Sequence, residues 1–465
     1  MIKLFNRYYS IKDIVFFFSE SILIFFTILL ATYIRFKIAN FWLVNYYTII
    51  LKAILITVIY QLVLHYSDLY NTKIIRSKQE IIIRSLQAIG AVAIIFSITY
   101  FFIPNLIIGR GIFLMSIVFL AIITIAWRLL YLWAISLNAL DEKILIVGTG
   151  ETAQDVAKRI LNKEKIGYNI VGFVSEDDSL KIGTSLVNPS VIGRYDDICR
   201  IVEKEGISKI IVALSERRGR LPMDTLLKCK LKGVKIEDDT TFYEGINGKL
   251  HLESLKPSWL IFSDGFRKSR VSIVGKRFMD ITTSLMAMII VLPVMVIVAF
   301  LIKLDSKGPV FFKQERVGEG GEVFTLLKFR SMREDAEAKT GPVWAKKEDD
   351  RVTRLGTIIR KTRIDELPQL INVLKGDMSF VGPRPERQFF VEQLIEKIPY
   401  YSLRESVKPG VTGWAQICYP YGASEEDAYE KLQYDLYYIK NMSFLLDLTI
   451  IFETAKVVLL GRGSR

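Results

Sequence analysis

The stretch Ile281-Thr-Thr-Ser-Leu-Met-Ala-Met-Ile-Ile-Val-Leu-Pro-Val-Met-Val-Ile-Val-Ala-Phe-Leu-Ile302 decides the topology of the second half of the chain. It is long enough to cross a hydrocarbon core of about 30 Å. Lysines and arginines flank it on both sides, however, and basic flanks favour the cytosolic face at both ends. Pro293 removes a helical hydrogen bond and permits a bend. We therefore predict a helix–break–helix over about residues 276–303 that enters one leaflet and returns, with an ordinary fifth crossing as the alternative.

Four long apolar runs lie upstream, at about residues 14–34, 42–65, 81–103 and 112–137. Each is long enough to be a transmembrane helix. The first is too long for a signal peptide and lacks a small-residue cleavage site, which indicates an anchor. Basic residues are concentrated before the first run, between the second and third, and after the fourth. The positive-inside rule therefore places the N-terminus and everything after the fourth run in the cytosol.

The composition agrees with partial membrane residence and excludes several other classes of protein. The chain has 465 residues, of which 51% are hydrophobic, and a net charge of +13. The surplus charge fits basic flanks against anionic lipid, and it also fits a site for an anionic nucleotide substrate. No recognition motif or basic and aromatic stripe supports nucleic-acid binding. The three cysteines and two histidines lie far apart in the sequence, which indicates neither a disulfide framework nor a zinc site.

The chain after the fourth run begins as a dinucleotide-binding fold would. The residues from Lys143 to Ala153 predict a strand, a glycine turn and a helix, and Gly148 and Gly150 fit the pattern G-x-G-x-x-A. One interpretation is a nucleotide site in which these glycines bind the cofactor and Glu176 or Asp177 contacts a ribose. The other, which we favour, is a degenerate fold with a structural glycine turn, because no oxidoreductase residue accompanies the motif.

Two adjacent acids, Asp365 and Glu366, precede a short pattern of apolar residues at helical spacing. Pro368 suits the first turn of a helix, and Gly376 can close that helix. We therefore predict that Asp365 lies at a helix N-terminus, where free N–H groups and the helix dipole keep a carboxylate ionised and attract phosphate. The alternative is an acidic N-cap surrounded by solvated charges.

Several ordered motifs follow the apolar run: Gly308-Pro-Val-Phe-Phe-Lys-Gln-Glu-Arg-Val-Gly318, Lys328-Phe-Arg-Ser-Met332, Arg363-Ile-Asp-Glu-Leu-Pro-Gln-Leu370, Gly382-Pro-Arg-Pro-Glu386 and Lys408-Pro-Gly-Val-Thr-Gly-Trp-Ala-Gln416. Through these motifs, the chain from Lys276 onward resembles the bacterial sugar transferase family of polyprenyl-phosphate hexose-1-phosphate transferases. The upstream spans and Rossmann-like module are similar to those of its long-form members. The residues from Tyr421 to Asp435 are most similar to the exosortase-associated exopolysaccharide branch.

This resemblance implies a reaction in which a UDP-sugar donates its sugar-1-phosphate to undecaprenyl phosphate and UMP is released, which initiates the synthesis of an exopolysaccharide, capsule or O-antigen type of glycan. It also implies that Asp365 and Glu366 are catalytic. A carboxylate can attack the sugar-bearing phosphorus and form a covalent phospho-sugar aspartate. Mg²⁺ would reduce the repulsion between the anionic groups. Asp365 and Glu366 are the candidate metal ligands, with Glu366 as ligand or orienting residue.

Cations near the acids are candidates for binding phosphate. Arg384 lies between two prolines, and its guanidinium suits bidentate phosphate contact, although a structural salt bridge is the alternative. Lys276 and Arg277 lie at the start of the re-entrant helix, where a lipid phosphate would bind, although simple headgroup anchoring explains them equally well. The remaining candidates are Arg354, Arg360, Arg363 and Lys408.

The sequence thus predicts a multi-domain membrane protein of the bacterial inner membrane with two cytosolic domains. Its parts are an all-α transmembrane bundle (residues 1–140), an α/β Rossmann-like module (141–265) and a mostly α monotopic catalytic domain (266–465) that also contacts membrane lipid through an amphipathic C-terminal helix. Two alternatives remain, direct transfer without a covalent intermediate and a scaffold that recruits polysaccharide enzymes through its module. The sugar, a ligand of the module and assembly into a homo-oligomer stay open.

Overall fold

The computed structural model describes residues 2–4, 7–9, 11–39, 46–70, 78–106, 108–136, 141–161, 167–175, 181–214, 221–255, 257, 260, 265–266, 269–333, 351–419, 422 and 424–459. Apart from a few N-terminal residues, these form two compact units that divide the chain between Asp239 and Thr240. A small sheet of β1 (Ile2–Leu4) and β2 (Arg7–Tyr9) precedes the first long helix.

Four apolar helices open the first unit: α1 (Ile11–Ala39), α2 (Tyr46–Tyr66), α3 (Lys78–Phe102) and α4 (Arg110–Ser136). Each is long and apolar enough to cross a membrane, as predicted. Their shared core includes Ile28, Tyr60 and Phe96, whereas large apolar side chains such as Phe26 and Leu114 face outward. Outward apolar side chains are typical of helices in contact with lipid. The chain is therefore a membrane protein.

The bundle contains a buried ion pair that the apolar pattern does not predict. Glu20 in α1 is completely buried, and Nε of Arg128 in α4 lies 2.8 Å from its carboxylate. The hydroxyl of Tyr70 donates to the same carboxylate, and Arg128 also donates to the Leu69 carbonyl at 2.7 Å. Ionisable groups inside apolar spans are stable only when they are paired in this way. The pair links α1 to α4.

The rest of the first unit is an α/β layer with a five-stranded parallel sheet in the order β5–β4–β3–β6–β7, as counted in the described residues. Its elements are β3 (Glu142–Val147), α5 (Glu151–Leu161), β4 (Tyr168–Ser175), β5 (Val191–Arg194), α6 (Ile198–Glu205), β6 (Lys209–Val212), α7 (Met223–Leu231) and β7 (Lys235–Asp238). The three interior strands, β3, β4 and β6, carry near-continuous buried runs, as buried parallel strands do. The predicted Rossmann-like architecture is present.

The glycine turn after β3 has a structural reason. Gly148 has a φ of +118°, and a Cβ atom there would lie 2.5 Å from the carbonyl oxygen of Ala213. Only glycine fits such a conformation and such a close approach. Glu176 and Asp177, the predicted ribose contacts, lie outside the described residues. The observed contact supports the structural interpretation of the turn, and ligand binding by Gly148 and Gly150 stays a prediction.

Helix α8 (Asp239–Asn247) opens the second unit. Residues 240–255, which the sequence pattern assigns to the Rossmann-like module, pack within this unit. The buried carboxylate of Glu244 accepts hydrogen bonds from Lys440 at 2.6 Å and Asn441 at 2.7 Å, and Leu250 belongs to the same core as residues of the C-terminal half. The sequence boundary at 265 therefore falls inside this unit.

The apolar run forms one 36-residue helix, α9 (Arg270–Asp305), whose N-cap is Ser269. Pro293 lies inside α9, and the helix continues on both sides of it, so the expected break does not interrupt the helix. A single proline removes only one hydrogen bond, and the flanking turns keep theirs. One face of α9 packs on Phe329 and Ile359, whereas Phe278, Ile289 and several other large apolar side chains are exposed. Helix α9 is long and apolar enough to cross a membrane.

The remainder of the second unit is mostly helical, as predicted, with two small pairs of strands. In chain order its elements are β8 (Phe311–Val317), β9 (Val323–Phe329), α10 (Arg354–Lys361), α11 (Gln369–Lys375), β10 (Ser379–Val381), α12 (Gln388–Lys397), β11 (Gly410–Thr412), α13 (Trp414–Cys418), α14 (Glu425–Asn441) and α15 (Phe444–Leu459). Strands β8 and β9 are antiparallel, and β10 and β11 are parallel. The core of the unit is built around α14, with Leu436 and Tyr438 packed against Val381 and Ile450.

Candidate active site

Asp365 and Glu366 lie in a 3-10 turn (Ile364–Glu366) immediately before α11. Arg363 starts this turn in the left-handed conformation with a φ of 57°, and Gly376 closes α11 with a φ of 101°. The helix and its glycine closure are therefore confirmed, but the acids precede the regular α-helix. Backbone bonds of i→i−3 type run through the turn, which tightens the start of the helix around Pro368.

Glu366 is held by three cations. Its carboxylate accepts hydrogen bonds from the Arg384 guanidinium at 2.5 Å and from Nζ of Lys328 at 3.1 Å, and Arg363 lies 3.7 Å away. Burial alone would raise the pKa of Glu366, but Arg384 and Lys328 outweigh it and hold the pKa well below its usual range. Glu366 is therefore a fixed anion that organises the cations around it.

Asp365 has the opposite environment. Its side chain is only 9% exposed, and burial raises its pKa to about 6; Lys328 opposes the rise and the charge of Glu366 adds to it. The helix N-terminus is expected to keep Asp365 ionised; burial instead raises its pKa, but to a value at which the carboxyl group is still mostly ionised at neutral pH. Among the residues that the structure describes, none makes a hydrogen bond or ion pair with the Asp365 carboxylate. The carboxylate of Glu366 is thus held by cations, whereas that of Asp365 is open, in the sense that no described residue bonds to it.

Lys328 is a site residue that the sequence pattern did not single out for a role. It lies on β9, which α11 holds in place through the side chain of Asn372. That amide accepts from the Leu327 backbone N–H at 3.0 Å and donates to the Thr325 carbonyl at 2.8 Å. This contact places Lys328 beside Glu366. Lys328 is the first residue of the motif Lys328-Phe-Arg-Ser-Met332, and membership of that motif is the only feature of the sequence that points to it.

The structure brings together some of the predicted cations. Arg384 and Arg363 contact Glu366, and the charge of Arg360 lowers the pKa of Asp365. Arg354 is the first residue of α10, and its side chain is exposed. Because four cations including Lys328 surround two carboxylates, the site is net positive.

Among the described residues, the other three predicted cations contact neither acid: Arg277 and Lys408 bind the opposite end of α11, and Lys276 binds a residue of α15. Arg277 donates to two carbonyls in the last turn of that helix at 2.6 and 2.8 Å, and Lys408 donates to the Gly376 carbonyl at 2.6 Å. Lys276 pairs with the buried Asp447 at 2.9 Å. A seven-residue helix is about 10 Å long, so Arg277 and Lys408 lie well away from Asp365. Their contacts stabilise the C-terminus of α11. Phosphate binding by any of these three cations stays a prediction.

The residues fit a magnesium ion only in part. Within the described ranges, no cluster of three or more His, Cys, Asp or Glu side chains could hold a metal. Mg²⁺ is usually bound by one or two carboxylates together with water and substrate phosphates. The open carboxylate of Asp365 fits that role. Glu366 does not fit it, because both of its oxygens already face cations.

A buried carboxylate beside several cations, in a protein with membrane helices, has the charge that suits an anionic ligand such as a phosphate. A family model described as bacterial sugar transferase matches residues 271–461, which contain the whole site, and one described as CoA-binding domain matches residues 65–236. The chain belongs to the bacterial sugar transferase family, as the resemblance of its motifs indicates.

Individual relatives cover different parts of the chain. UDP-N-acetylgalactosamine-undecaprenyl-phosphate N-acetylgalactosaminephosphotransferase of Aeromonas hydrophila is 43% identical over 52% of this chain and 56% of its own length. Undecaprenyl-phosphate galactose phosphotransferase of Salmonella typhimurium is 30% identical over 70% of this chain and 69% of its own. Exopolysaccharide production protein PSS of Rhizobium leguminosarum bv. phaseoli is 43% identical over 42% of this chain and 99% of its own. The chain spans 56 to 66% of the length of several curated relatives.

Proposed function

We propose that the chain transfers a hexose-1-phosphate from a UDP-sugar to undecaprenyl phosphate and releases UMP. The names of its relatives supply the acceptor and the type of group transferred. The observation that carries the proposal is the environment of Asp365: a buried carboxylate with a pKa of about 6 and no hydrogen bond or ion pair from the described residues, next to cations that Glu366 holds in place.

In the first step, a carboxylate oxygen of Asp365 attacks the sugar-bearing phosphorus of the donor. The bond between that phosphorus and the bridging oxygen breaks, and UMP leaves with the electron pair. The sugar-phosphate is then esterified to Asp365 as an acyl phosphate. No proton is transferred, because Asp365 reacts as the anion and UMP departs as an anion. With a pKa of about 6, Asp365 is mostly ionised at neutral pH.

In the second step, a phosphate oxygen of the lipid attacks the phosphorus of the acyl phosphate. The bond to the carboxyl oxygen of Asp365 breaks, which restores the free carboxylate and leaves the sugar on a lipid diphosphate. The acceptor is itself an anion near neutral pH, so this step needs no strong general base. The absence of such a need fits a site without histidine, since both histidines of the chain lie outside it.

The cations position and neutralise the phosphates. Arg384 presents two N–H groups to Glu366, and its side chain is 37% exposed, so it can also face an incoming phosphate. Lys328 and Arg360 add positive charge where negative charge develops on the leaving UMP. Glu366 keeps these groups in place and is thereby a positioning residue. When Mg²⁺ is bound, it neutralises the diphosphate, with Asp365 as the protein group suited to contact it.

We further propose the membrane placement that the basic flanks predict. Helix α9 enters one leaflet of the inner membrane from the cytosolic side and keeps both basic ends there, while its exposed apolar side chains contact lipid. Because the described helix is continuous through Pro293, this return requires α9 to bend at the proline once it is in lipid. Phe444, Leu448 and Phe452 of α15 are exposed as well and suit contact with the interface. This arrangement gives Asp365 access to a cytosolic nucleotide sugar and to a membrane-bound phosphate.

The test is a screen of UDP-sugars with the purified full-length chain, undecaprenyl phosphate and Mg²⁺, with UMP release as the readout. We expect UMP with at least one donor, dependent on the lipid for continued turnover, and none with Asp365→Asn. Asp224→Asn is the matched control, because Asp224 is exposed in α7, and this variant should release UMP as the wild type does. Failure of every donor contradicts the proposal and favours a scaffold role. Full activity of Asp365→Asn excludes Asp365 as the nucleophile.

A further inference from the structure

The backbone that carries Arg384 lies between two prolines and therefore lacks the N–H groups of both neighbours. An ordinary hydrogen-bonded ladder cannot hold such a segment. Its carbonyls are held from outside: the Gly410 N–H donates to the Pro383 carbonyl at 2.8 Å, and the Val317 N–H donates to the Glu386 carbonyl at 3.0 Å. The ends of the segment are thus fixed by backbone groups of two other elements.

The two inner carbonyls are held by guanidinium groups instead. Arg404 donates to the carbonyl of Arg384 at 3.0 Å, and Arg316 donates to that of Pro385 at 3.1 Å. Four consecutive carbonyls therefore each accept a hydrogen bond from a different residue. This accounts for the conformation of a segment that has few donors of its own.

Arg404 is itself held on every side. Its Nε donates to the carboxylate of Asp435 at 2.8 Å, and a second nitrogen donates to the Tyr401 hydroxyl at 2.7 Å, which leaves the third for the carbonyl of Arg384. Asp435 lies on α14 and is 2% exposed. A buried ion pair contributes little net stability compared with apolar packing, so the pair is better placed to fix the position of its neighbours than to stabilise the fold. Neither Arg404 nor Asp435 contacts Asp365 or Glu366 among the described contacts.

We infer that Arg404 and Asp435 are positioning residues for the transfer reaction. They fix the backbone of Arg384, and this fixes the direction in which its partly exposed guanidinium points toward Glu366 and the donor phosphate. This inference rests on the proposed function. A guanidinium that moves by about 1 Å can reduce the rate by about 100-fold, so a distant pair of this kind affects catalysis without touching substrate.

A double-mutant cycle tests whether the pair acts through Arg384. Asp435→Asn keeps the shape of the side chain and removes its charge. Arg404→Lys keeps the positive charge and removes the guanidinium, whose three nitrogens make three separate hydrogen bonds. We expect each to lower kcat by about 10- to 100-fold in the wild-type background. In the Arg384→Ala background, each should have little further effect. Purely structural damage would instead multiply with the effect of Arg384→Ala, and that result overturns the inference.

The matched control is Glu425→Gln, which removes the acidic partner of the exposed Lys397–Glu425 pair at the start of the same helix α14. We expect its kcat to equal that of the wild type. If thermal unfolding shows that Asp435→Asn does not fold, the double-mutant cycle is measured with Arg404→Lys and Arg384→Ala alone.

A second readout does not depend on turnover. The rate at which phenylglyoxal modifies Arg384 in the full-length chain, followed by peptide mass spectrometry, reports how firmly its guanidinium is held. We expect Asp435→Asn to increase this rate and Glu425→Gln to leave it unchanged; an unchanged rate in Asp435→Asn overturns the inference. If the wild type releases no UMP, the proposed function fails while this readout still decides the positioning role.

Discussion

Asp365 and Glu366 are adjacent in the chain, yet their carboxyl groups have pKa values shifted in opposite directions. Burial raises the pKa of Asp365 to about 6, whereas at Glu366 the charges of Arg384 and Lys328 outweigh burial and hold the pKa well below its usual range. Two carboxyls with separated pKa values are typical of acids with different tasks. Asp365 is suited to react, and Glu366 is suited to hold cations.

This difference predicts that the two isosteric substitutions change stability in opposite directions. Asp365→Asn removes a desolvated charge and should raise the melting temperature of the full-length chain, as is common for residues kept for function. Glu366→Gln leaves three cations without their anion and should lower the free energy of unfolding by about 1–3 kcal/mol. Thermal unfolding at pH 7.5, roughly the neutral range where both acids are ionised, provides the comparison. A shift of both variants in the same direction contradicts the assignment.

The raised pKa of Asp365 also predicts how stability depends on pH. The folded state binds this proton more tightly than the unfolded chain does, so the contribution of Asp365 is favourable at low pH and is lost as pH rises through about 6. The wild type should therefore lose stability relative to Asp365→Asn between pH about 4 and 7. The melting temperatures of the two proteins across that range give the result, and parallel curves would argue against a raised pKa.

Activity should have the opposite pH dependence, because only ionised Asp365 attacks phosphorus. UMP release at saturating lipid should decline as pH falls below about 6. Initial rates between pH 5 and 8, roughly two units around this value, measure it. A rate that stays constant down to the lower limit would show that ionisation of Asp365 does not control the reaction.

Lys328→Met tests the charge that most strongly opposes the rise in the pKa of Asp365. Its loss should raise that pKa further, so the acid limb of the pH–rate profile should move to higher pH. The rate at the optimum should fall as well, because Glu366 loses a partner. Lys313→Met, on the exposed side of the same hairpin, is the matched control and should keep the wild-type profile. Identical pH–rate profiles for Lys328→Met and Lys313→Met would show that Lys328 does not influence the ionisation of Asp365.

Arg277→Gln separates a structural role from phosphate binding. Arg277 donates to two carbonyls in the last turn of α11, so its substitution should destabilise the protein by about 1–2 kcal/mol. The KM for the UDP-sugar should not change. An increased KM for either substrate with unchanged stability would restore the phosphate-binding role that the sequence predicts.

Features that depend on local patterns could be predicted from the sequence. The four apolar helices, the parallel sheet, and the helix that begins after Asp365 and ends at Gly376 all follow from spacing, length and turn residues. Pro293 is an informative exception, since a proline inside a long apolar helix is tolerated when the neighbouring turns stay bonded.

Features that depend on tertiary packing could not be predicted in this way. Lys328 lies 38 residues from Glu366 in the sequence, and tertiary contacts bring them together: Asn372 bonds to β9, and Leu326 of β9 packs in one cluster with Val373 of α11. The position of Arg404 beside Arg384 likewise depends on Asp435 in α14. The raised pKa of Asp365 results from burial, which no motif expresses.

The exchange of UMP with the UDP-sugar in the absence of lipid distinguishes a covalent intermediate on Asp365 from direct transfer. The full-length chain is incubated with UDP-sugar, isotopically labelled UMP and Mg²⁺, and label in the UDP-sugar is measured. We expect label to enter the UDP-sugar with the wild type and not with Asp365→Asn, and we expect the wild-type chain to gain the mass of one sugar-phosphate. No exchange from a preparation that turns over with lipid present would exclude the covalent intermediate and establish direct transfer.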